Sequence, residues 1–463
     1  MSESSSFDCL QAVFLSSDRL KEKFNSERPL HTATQERIII RPARNILGSL
    51  RLPGDKSISH RYAMLAAFAE GTSRFSNFST GADCASTLAC MQALGAQVNT
   101  LDGGSVEVTG VAGCVIPSEH PLDCGNSGST MRMISGLLAP QQGKFILTGD
   151  ASLSRRPMER IQKPLEAMGA RLKLSEGHAP IEIDGSPLRA IDYTTPVPSA
   201  QVKTCVLLAG LQTAGTTIVR ESVRTRDHSE LALRAFGADV TRSVDSVSIT
   251  GPQTLHAIEA AVPGDLSSAA FFLCAAAIFP GSSLVLDGLG LNPTRAALLD
   301  VLTILGAHIA VLDIEEKHAE LVGTVQITSP PEGLRSTAVS GSLSAQLIDE
   351  LPVLAAIAPY TSGGIRIRDA KELRVKESDR IALVAQNLRA MGAEVAEFED
   401  GLDVPGGQTL HGAAIDSGGD HRIAMAFSVA ALRAEGETLI QGAESAAISF
   451  PEFFELLDRV ADR

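Results

Sequence analysis

The sequence predicts an α/β protein in which one supersecondary unit recurs and two similar lobes are joined by two crossovers. Two observations carry this reading. The first is a phrase that returns five times: Ala93-Leu94-Gly95-Ala96-Gln97-Val98, Ala167-Met168-Gly169-Ala170-Arg171-Leu172, Ala235-Phe236-Gly237-Ala238-Asp239-Val240, Ile304-Leu305-Gly306-Ala307-His308-Ile309 and Ala390-Met391-Gly392-Ala393-Glu394-Val395. Its glycines stand 74, 68, 69 and 86 residues apart. The second is Leu52-Pro53-Gly54-Asp55, which has a near copy at Val262-Pro263-Gly264-Asp265, 210 residues later.

Each phrase follows an amphipathic stretch and precedes an alternating one. In the first copy Leu88, Met91 and Leu94 recur at helical spacing, and alternation begins at Val98. Helix, glycine, strand is the physical reading, because glycine past a helix end takes positive φ without a Cβ clash. Gly-Ala after a helix is common in α/β proteins, but five copies at similar spacing point to repeated units around a core. The Pro-Gly-Asp crossovers then divide the chain into one lobe of residues 55–262 and another of residues 37–54 plus 263–463. By symmetry, the segment before Pro53 pairs with the C-terminal lobe. Residues 1–36 read as a poorly ordered extension: Met1-Ser2-Glu3 offers no basic start, and Gln11 interrupts the short apolar run.

Composition narrows the function. The 463 residues are 44% hydrophobic and 20% charged, an ordinary globular balance with a sizeable core. With aromatics at 4% and no Trp, aliphatic side chains do the packing. A formal charge of −14 argues against general binding to nucleic acid or anionic membranes, yet leaves room for a small phosphate site built from a few gathered cations. Seven cysteines, an odd number without CxxC, indicate neither a disulfide framework nor a zinc ribbon and fit a reducing cytoplasm. The longest apolar stretch, Ala269–Phe279, is too short to span a bilayer.

The segments able to do chemistry are turns before apolar helical runs. Lys56, Ser57 and Arg61 precede the run Tyr62–Phe68. They fit either an anion site at a helix N-terminus or a start capped by Ser57 with solvated cations. It is not a P-loop, since the upstream glycine is missing. In Asp123–Arg132 the small residues and the two glycines, Gly125 and Gly128, let a ligand approach the backbone closely before the helix Met131–Leu138, and Arg155-Arg156 follows the strand Lys144–Thr148. Pro198–Lys203, with Ser199 and Gln201, and Arg224–His228, with Arg226, also open helices. Asp349 lies inside an apolar run, as a partly desolvated acid with a raised pKa or as an exposed cap. Glu372–Arg380 packs three cations and three acids into nine residues, including Lys376, Glu377 and Arg380, and Arg422 stands at the entrance to another apolar helix. Singly, most of these fit solvated helix starts. Together they describe a basic pocket on an acidic protein, suited to phosphate and carboxylate.

In order, PGDKSISHR (53–61), GNSGSTMR (125–132), RRPM (155–158), PSAQVK (198–203), IDELP (348–352), LRVKESDR (373–380), DHRIAMAF (420–427) and SFPEF (449–453) resemble the signature segments of the EPSP synthase family of enolpyruvyl transferases, from about residue 37 to the C-terminus. The resemblance implies two lobes, each of three βαβαββ units in an inside-out α/β barrel, closing on the substrates. It implies a transferase of the shikimate pathway, leading to chorismate and aromatic amino acids. The reaction joins phosphoenolpyruvate to the 5-hydroxyl of shikimate 3-phosphate and releases phosphate. It implies a cytoplasmic monomer with no metal or organic cofactor, and no nucleic-acid or membrane partner. It assigns Lys56, Ser57, Arg61, Ser199, Gln201, Arg226, Asp349 and Lys376 to shikimate 3-phosphate. Lys56, Gly128, Arg156, Gln201, Arg380 and Arg422 fall to phosphoenolpyruvate. Asp349 resembles the base for the 5-hydroxyl, kept ionised by cations, Glu377 the acid at the methylene, and Lys56 a further catalytic residue.

The chain departs from the family pattern in three places. Ala446–Ser449 lacks a lysine frequent before the final Phe-Pro, and Glu372 stands where an asparagine often contacts the shikimate ligand. Gly128 keeps the residue associated with room for glyphosate, while Met133 replaces a frequent proline. The related transferase that acts on a UDP-sugar typically has Lys-Asn where Lys56-Ser57 stands, and a loop cysteine with no counterpart here. A non-catalytic repeat scaffold for RNA would need a basic surface and more aromatics.

Overall fold

The computed structural model describes residues 36–101 and 104–463; the segment before Glu36, read above as an extension, lies outside the described residues. The repeated unit is clearest between Leu122 and Gly185. It runs strand Leu122–Asp123, helix Gly128–Leu138, strand Gly143–Thr148, helix Glu159–Ala167, then strands Arg171–Ser175 and His178–Gly185. The first two strands pair in parallel; the last inserts between the second and third, antiparallel to both. Composition decides which helix goes inside. Met131, Ile134, Leu137 and Leu138 leave Gly128–Leu138 no polar stripe wide enough for solvent, and it is buried throughout apart from Ser129. Glu159–Ala167 buries Ile161, Pro164 and Leu165 and turns its charged residues outward.

The phrase glycines sit at the exit of the outer helix of five units, with φ from +89° to +104°. A sixth unit exists without a phrase, because its outer helix, Phe453–Val460, runs without a glycine turn into the strand Ala461–Asp462, which pairs antiparallel with Asn45–Ile46. Its sheet, Ala414–Asp416 beside Thr438–Gln441, is completed by Arg37–Ile40 from the other end of the sequence.

Strand exchange links the halves. Asn45–Arg51 pairs in parallel with Ser283–Gly290, and Glu259–Ala261 with Thr72–Ser76. Between these strands the chain crosses twice, and the crossings touch. Gly54 bridges Gly264 antiparallel, the Asp55 amide donates to the Pro263 carbonyl (2.8 Å), and the Asp265 amide donates to the Pro53 carbonyl (3.1 Å). Two separate apolar cores result, one drawn from residues 58–262 and the other from residues 40–52 and 266–460. Helices Lys56–Phe68, Gly128–Leu138 and Ala200–Leu211 belong to the first, and Leu266–Ala277, Leu351–Ile357 and His421–Ala431 to the second. The apolar stretch noted above is the wholly buried Leu266–Ala277, and no described helix is long and apolar enough to cross a membrane.

A buried polar cluster also joins the lobes. Asp227 accepts from Asn292 Nδ2 (2.8 Å) and pairs with Arg242 (2.7 Å), while Glu320 accepts from Asn292 Nδ2 (3.0 Å) and meets His228 Nδ1 (2.6 Å).

Candidate active site

The six inner helices point their N-termini at one cavity of about 310 Å³ between the lobes. Five are capped by short polar side chains. Asp55, Ser127, Ser199, Asp265 and Asp420 accept the amides of Ile58, Thr130, Val202, Ser267 and Arg422 at 2.7–3.4 Å. Asp55, not Ser57, caps the Lys56 helix, because only Asp55 has the extended backbone that aims an oxygen back at the first turn. Ser57 lies in that turn and lines the cavity. A cap satisfies one of the four free amides at a helix start, so partial positive charge still faces the cleft.

All thirteen site residues named from sequence line this cavity: Lys56, Ser57, Arg61, Gly128, Arg156, Ser199, Gln201, Arg226, Asp349, Lys376, Glu377, Arg380 and Arg422. Eleven Lys or Arg residues face it against six carboxylates, a formal excess of five positive charges in a chain of net charge −14.

Asp349 is ringed by cations: Arg226 Nη2 at 2.7 Å, Arg380 Nη1 at 3.6 Å and Lys376 Nζ at 3.7 Å. Its backbone carbonyl accepts from Arg422 Nη1 at 2.7 Å. Burial pushes its pKa up, but Lys376, Arg422 and Arg226 outweigh burial and hold it well below the usual carboxylate range. Of the readings its apolar sequence neighbours left open, the raised pKa does not hold, and the lowering by cations is the one the resemblance implied. The run Leu347–Leu354 reports desolvation alone, and the cations come from distant segments. Glu377, between Arg380 (2.6 Å) and Arg156 (3.4 Å), behaves alike: burial raises it, and Arg380 and Arg156 carry it well below its ordinary value. Arg380, 1% exposed, is also fixed by Asp420 at 2.8 Å. Lys56 meets Asp83 at 2.9 Å; burial alone would lower its pKa, and Asp83 more than offsets this.

Two buried cations, Arg61 and Arg132, have no carboxylate partner among the described residues. Arg61 donates to Ser229 Oγ (2.6 Å), Thr204 Oγ1 (3.0 Å) and the Ser57 carbonyl (2.8 Å), and burial lowers its pKa to about 10. Arg132 donates to Gln201 Oε1 (2.7 Å) and the Pro157 carbonyl (3.2 Å). Burial, then Arg160 and Arg156, lower its pKa to about 9. Buried cations held only by neutral acceptors are sites waiting for an anion. Gly128 leaves room for Arg132 and Arg156: a Cβ there would lie 2.9 Å from Arg132 Nη1 and 3.4 Å from Arg156 Nη1.

Sequence reasoning gave no role to Arg132, Arg160, Asp83 or His421, all of which line the cavity. Arg132 carried a usable signal, one helical turn after Gly128 on the same face. Glu372, set aside for want of the family asparagine, pairs with Arg160 across the cleft at 2.9 Å. His421 is buried with neither ring nitrogen partnered among the described residues, and burial and Lys56 lower its pKa to about 3.

The family model for EPSP synthase (3-phosphoshikimate 1-carboxyvinyltransferase) matches residues 40–457. The 3-phosphoshikimate 1-carboxyvinyltransferase of Koribacter versatilis is 65% identical over 92% of this chain and 99% of its own length; that of Solibacter usitatus is 53% identical over 91% and 99%. The solved EPSP synthase of Acinetobacter baumannii superposes with a TM-score of 0.81 at 39% identity, covering 92% of this chain and 98% of that one. Converging helix starts, the excess of cations and these matches over nearly the whole described chain lead to one conclusion: the chain belongs to the EPSP synthase family.

Proposed function

We propose that, in the enolpyruvyl transfer of its family, this chain holds shikimate 3-phosphate and phosphoenolpyruvate together in the cavity and moves protons with Asp349 and Glu377. Charge supports the pairing. Each substrate carries one carboxylate and one phosphate of about −1.5 to −2, so the two bring roughly −5 to −6 into a cavity with a formal excess of five positive charges.

Lys56, Ser57, Arg61, Ser199, Gln201 and Arg226 take shikimate 3-phosphate on the first lobe, with Asp349 and Lys376 reaching it from the second. Phosphoenolpyruvate lies against Gly128, Arg156, Arg380 and Arg422, and shares Lys56 and Gln201. Asp349 accepts the proton of the 5-hydroxyl as its oxygen bonds to C2 of phosphoenolpyruvate, and Glu377 delivers a proton to the methylene carbon. The resulting tetrahedral adduct returns a methyl proton to Glu377 as its C2–O bond to phosphate breaks and the leaving phosphate takes the proton held by Asp349, which forms the enol ether. Both carboxylates are ionised in the empty site, which suits Asp349 but not Glu377. When the substrate anions engage Arg156 and Arg380, the charge that depresses Glu377 is neutralised and it can hold the proton it must give.

The observation that carries this reading is the meeting of Asp349 and Glu377 in one cavity with cations from both lobes. Residues 55–262 act as one domain and residues 37–54 plus 263–463 as the other, closing as a cytoplasmic monomer; the buried thiols of Cys84, Cys124, Cys205 and Cys274 accord with reducing conditions. The test is phosphate release by purified protein. It requires both substrates together, and release with a UDP-sugar in place of shikimate 3-phosphate refutes the proposal.

A further inference from the structure

Three helices of the first lobe, Lys56–Phe68, Ala82–Ala93 and Gly128–Leu138, meet at a line of four polar side chains with no solvent exposure. His60 Nδ1 lies 2.6 Å from Thr87 Oγ1, which lies 2.6 Å from Thr130 Oγ1. The Thr130 hydroxyl donates to Ser127 Oγ at 2.7 Å, and Ser127 Oγ also accepts the Thr130 amide at 3.1 Å, the cap of the Gly128 helix. We propose that His60 is a positioning residue, held as its Nδ1–H tautomer, whose proton starts a one-way hydroxyl chain through Thr87 and Thr130 to Ser127 and so fixes the mouth of the Gly128 helix against the Lys56 helix.

Proton counting gives the direction. A hydroxyl has one proton. Thr130 spends its proton on Ser127, so it accepts from Thr87; Thr87 has then spent its own, so it accepts from His60 Nδ1. The carbonyl of Asp83 competes for the Thr87 proton only at 3.4 Å. His60 Nε2 is left as a buried lone pair with no partner among the described residues. The reverse chain would need Ser127 to donate to Thr130, against the direction of their 2.7 Å bond, and would put an N–H at Nε2 without an acceptor among the described residues. The ring stays neutral, because burial and then Lys56 and Arg61 hold its pKa well below the usual imidazole value. Each tied helix carries a cavity residue at its start: Lys56, Asp83 or Gly128. None of the four relay side chains lines the cavity, so the chain acts through those residues.

The kinetic part of this inference rests on phosphoenolpyruvate lying at Gly128; the tautomer does not. In protein with 15N-labelled histidine, long-range 15N–1H correlations, assigned by the signal that His60→Asn removes, should give a neutral Nδ1–H ring unchanged across neutral pH. An Nε2–H ring overturns the proposal. His60→Gln and Thr87→Val should raise KM for phosphoenolpyruvate about tenfold, with kcat moving much less, since one buried hydrogen bond is lost. His60→Asn, whose amide nitrogen falls where Nδ1 lies, should keep the wild-type KM. Equal KM values for the Asn and Gln variants, or a fall in kcat at constant KM, overturn the positioning role. Should the variants not fold, the spectrum of the unaltered protein alone decides. An unaltered protein that releases no phosphate from the two substrates refutes the proposed function and leaves the tautomer to be read.

Discussion

On the proposed function, Asp349 has two jobs that pull against each other. It must be ionised to accept a proton, and the cations that ionise it also weaken it as a base. In that proposal the substrate anions resolve the conflict by taking Arg226 and Lys376 for themselves. Asp349→Ala should therefore lower kcat by about 10²- to 10⁴-fold, the usual share of a general base, while KM changes far less. Steady-state kinetics with both substrates checks this, and near-normal turnover removes Asp349 from the role. Gly128→Ala places a methyl 2.9 Å from Arg132 Nη1. The guanidinium must shift off Gln201, and KM for phosphoenolpyruvate should rise about tenfold, more than KM for shikimate 3-phosphate; an equal rise in both contradicts that placement. At this scale the sequence was legible where a cavity-lining side chain opens a helix, as with Lys56, Gln201 and Arg422. It was silent where the effect depends on a remote partner. Asp83 reaches Lys56 from 27 residues away, and the cations that reverse the expected pKa of Asp349 arrive from positions 226, 376 and 422.

Elements were more legible than the pairings between them. A period near 3.6 before each phrase and near 2 after it located helix, turn and strand, because burial of one face imposes those periods whatever the fold. The sixth unit, expected from the two-lobe symmetry, carries no copy of the phrase, because no glycine turn separates its outer helix Phe453–Val460 from the strand Ala461–Asp462. Gly169 gives the cleanest test of the phrase. Its φ is +99°, and a Cβ there would meet nothing within 4 Å. Gly169→Ala should cost about 1–2 kcal/mol through backbone strain alone, read as a lower urea midpoint at an unchanged m-value. No change in midpoint would mean that the turn tolerates a side chain.

Across the whole molecule the lobes are held by charge as well as by chain. Burial tends to lower the pKa of His228, but Glu320 outweighs it and the net shift is upward. A proton held more tightly in the folded state stabilises fully below the unfolded value of about 6.5, and that gain is lost as pH rises through the higher folded value. The Tm should therefore fall across that window on the alkaline side of 6.5, and His228→Gln should flatten the slope. An identical slope in the variant assigns the effect elsewhere.

The strand exchange reaches beyond the finished structure to the order in which it is made. Asn45–Arg51 leaves the ribosome early, yet its partner Ser283–Gly290 follows only after the whole first lobe has been synthesised. Arg37–Ile40 waits about 400 positions for Thr438–Gln441. The first lobe can be complete while Asn45–Arg51 still lacks its partner strand in the second, so the nascent chain carries an exposed β-edge until Ser283–Gly290 emerges.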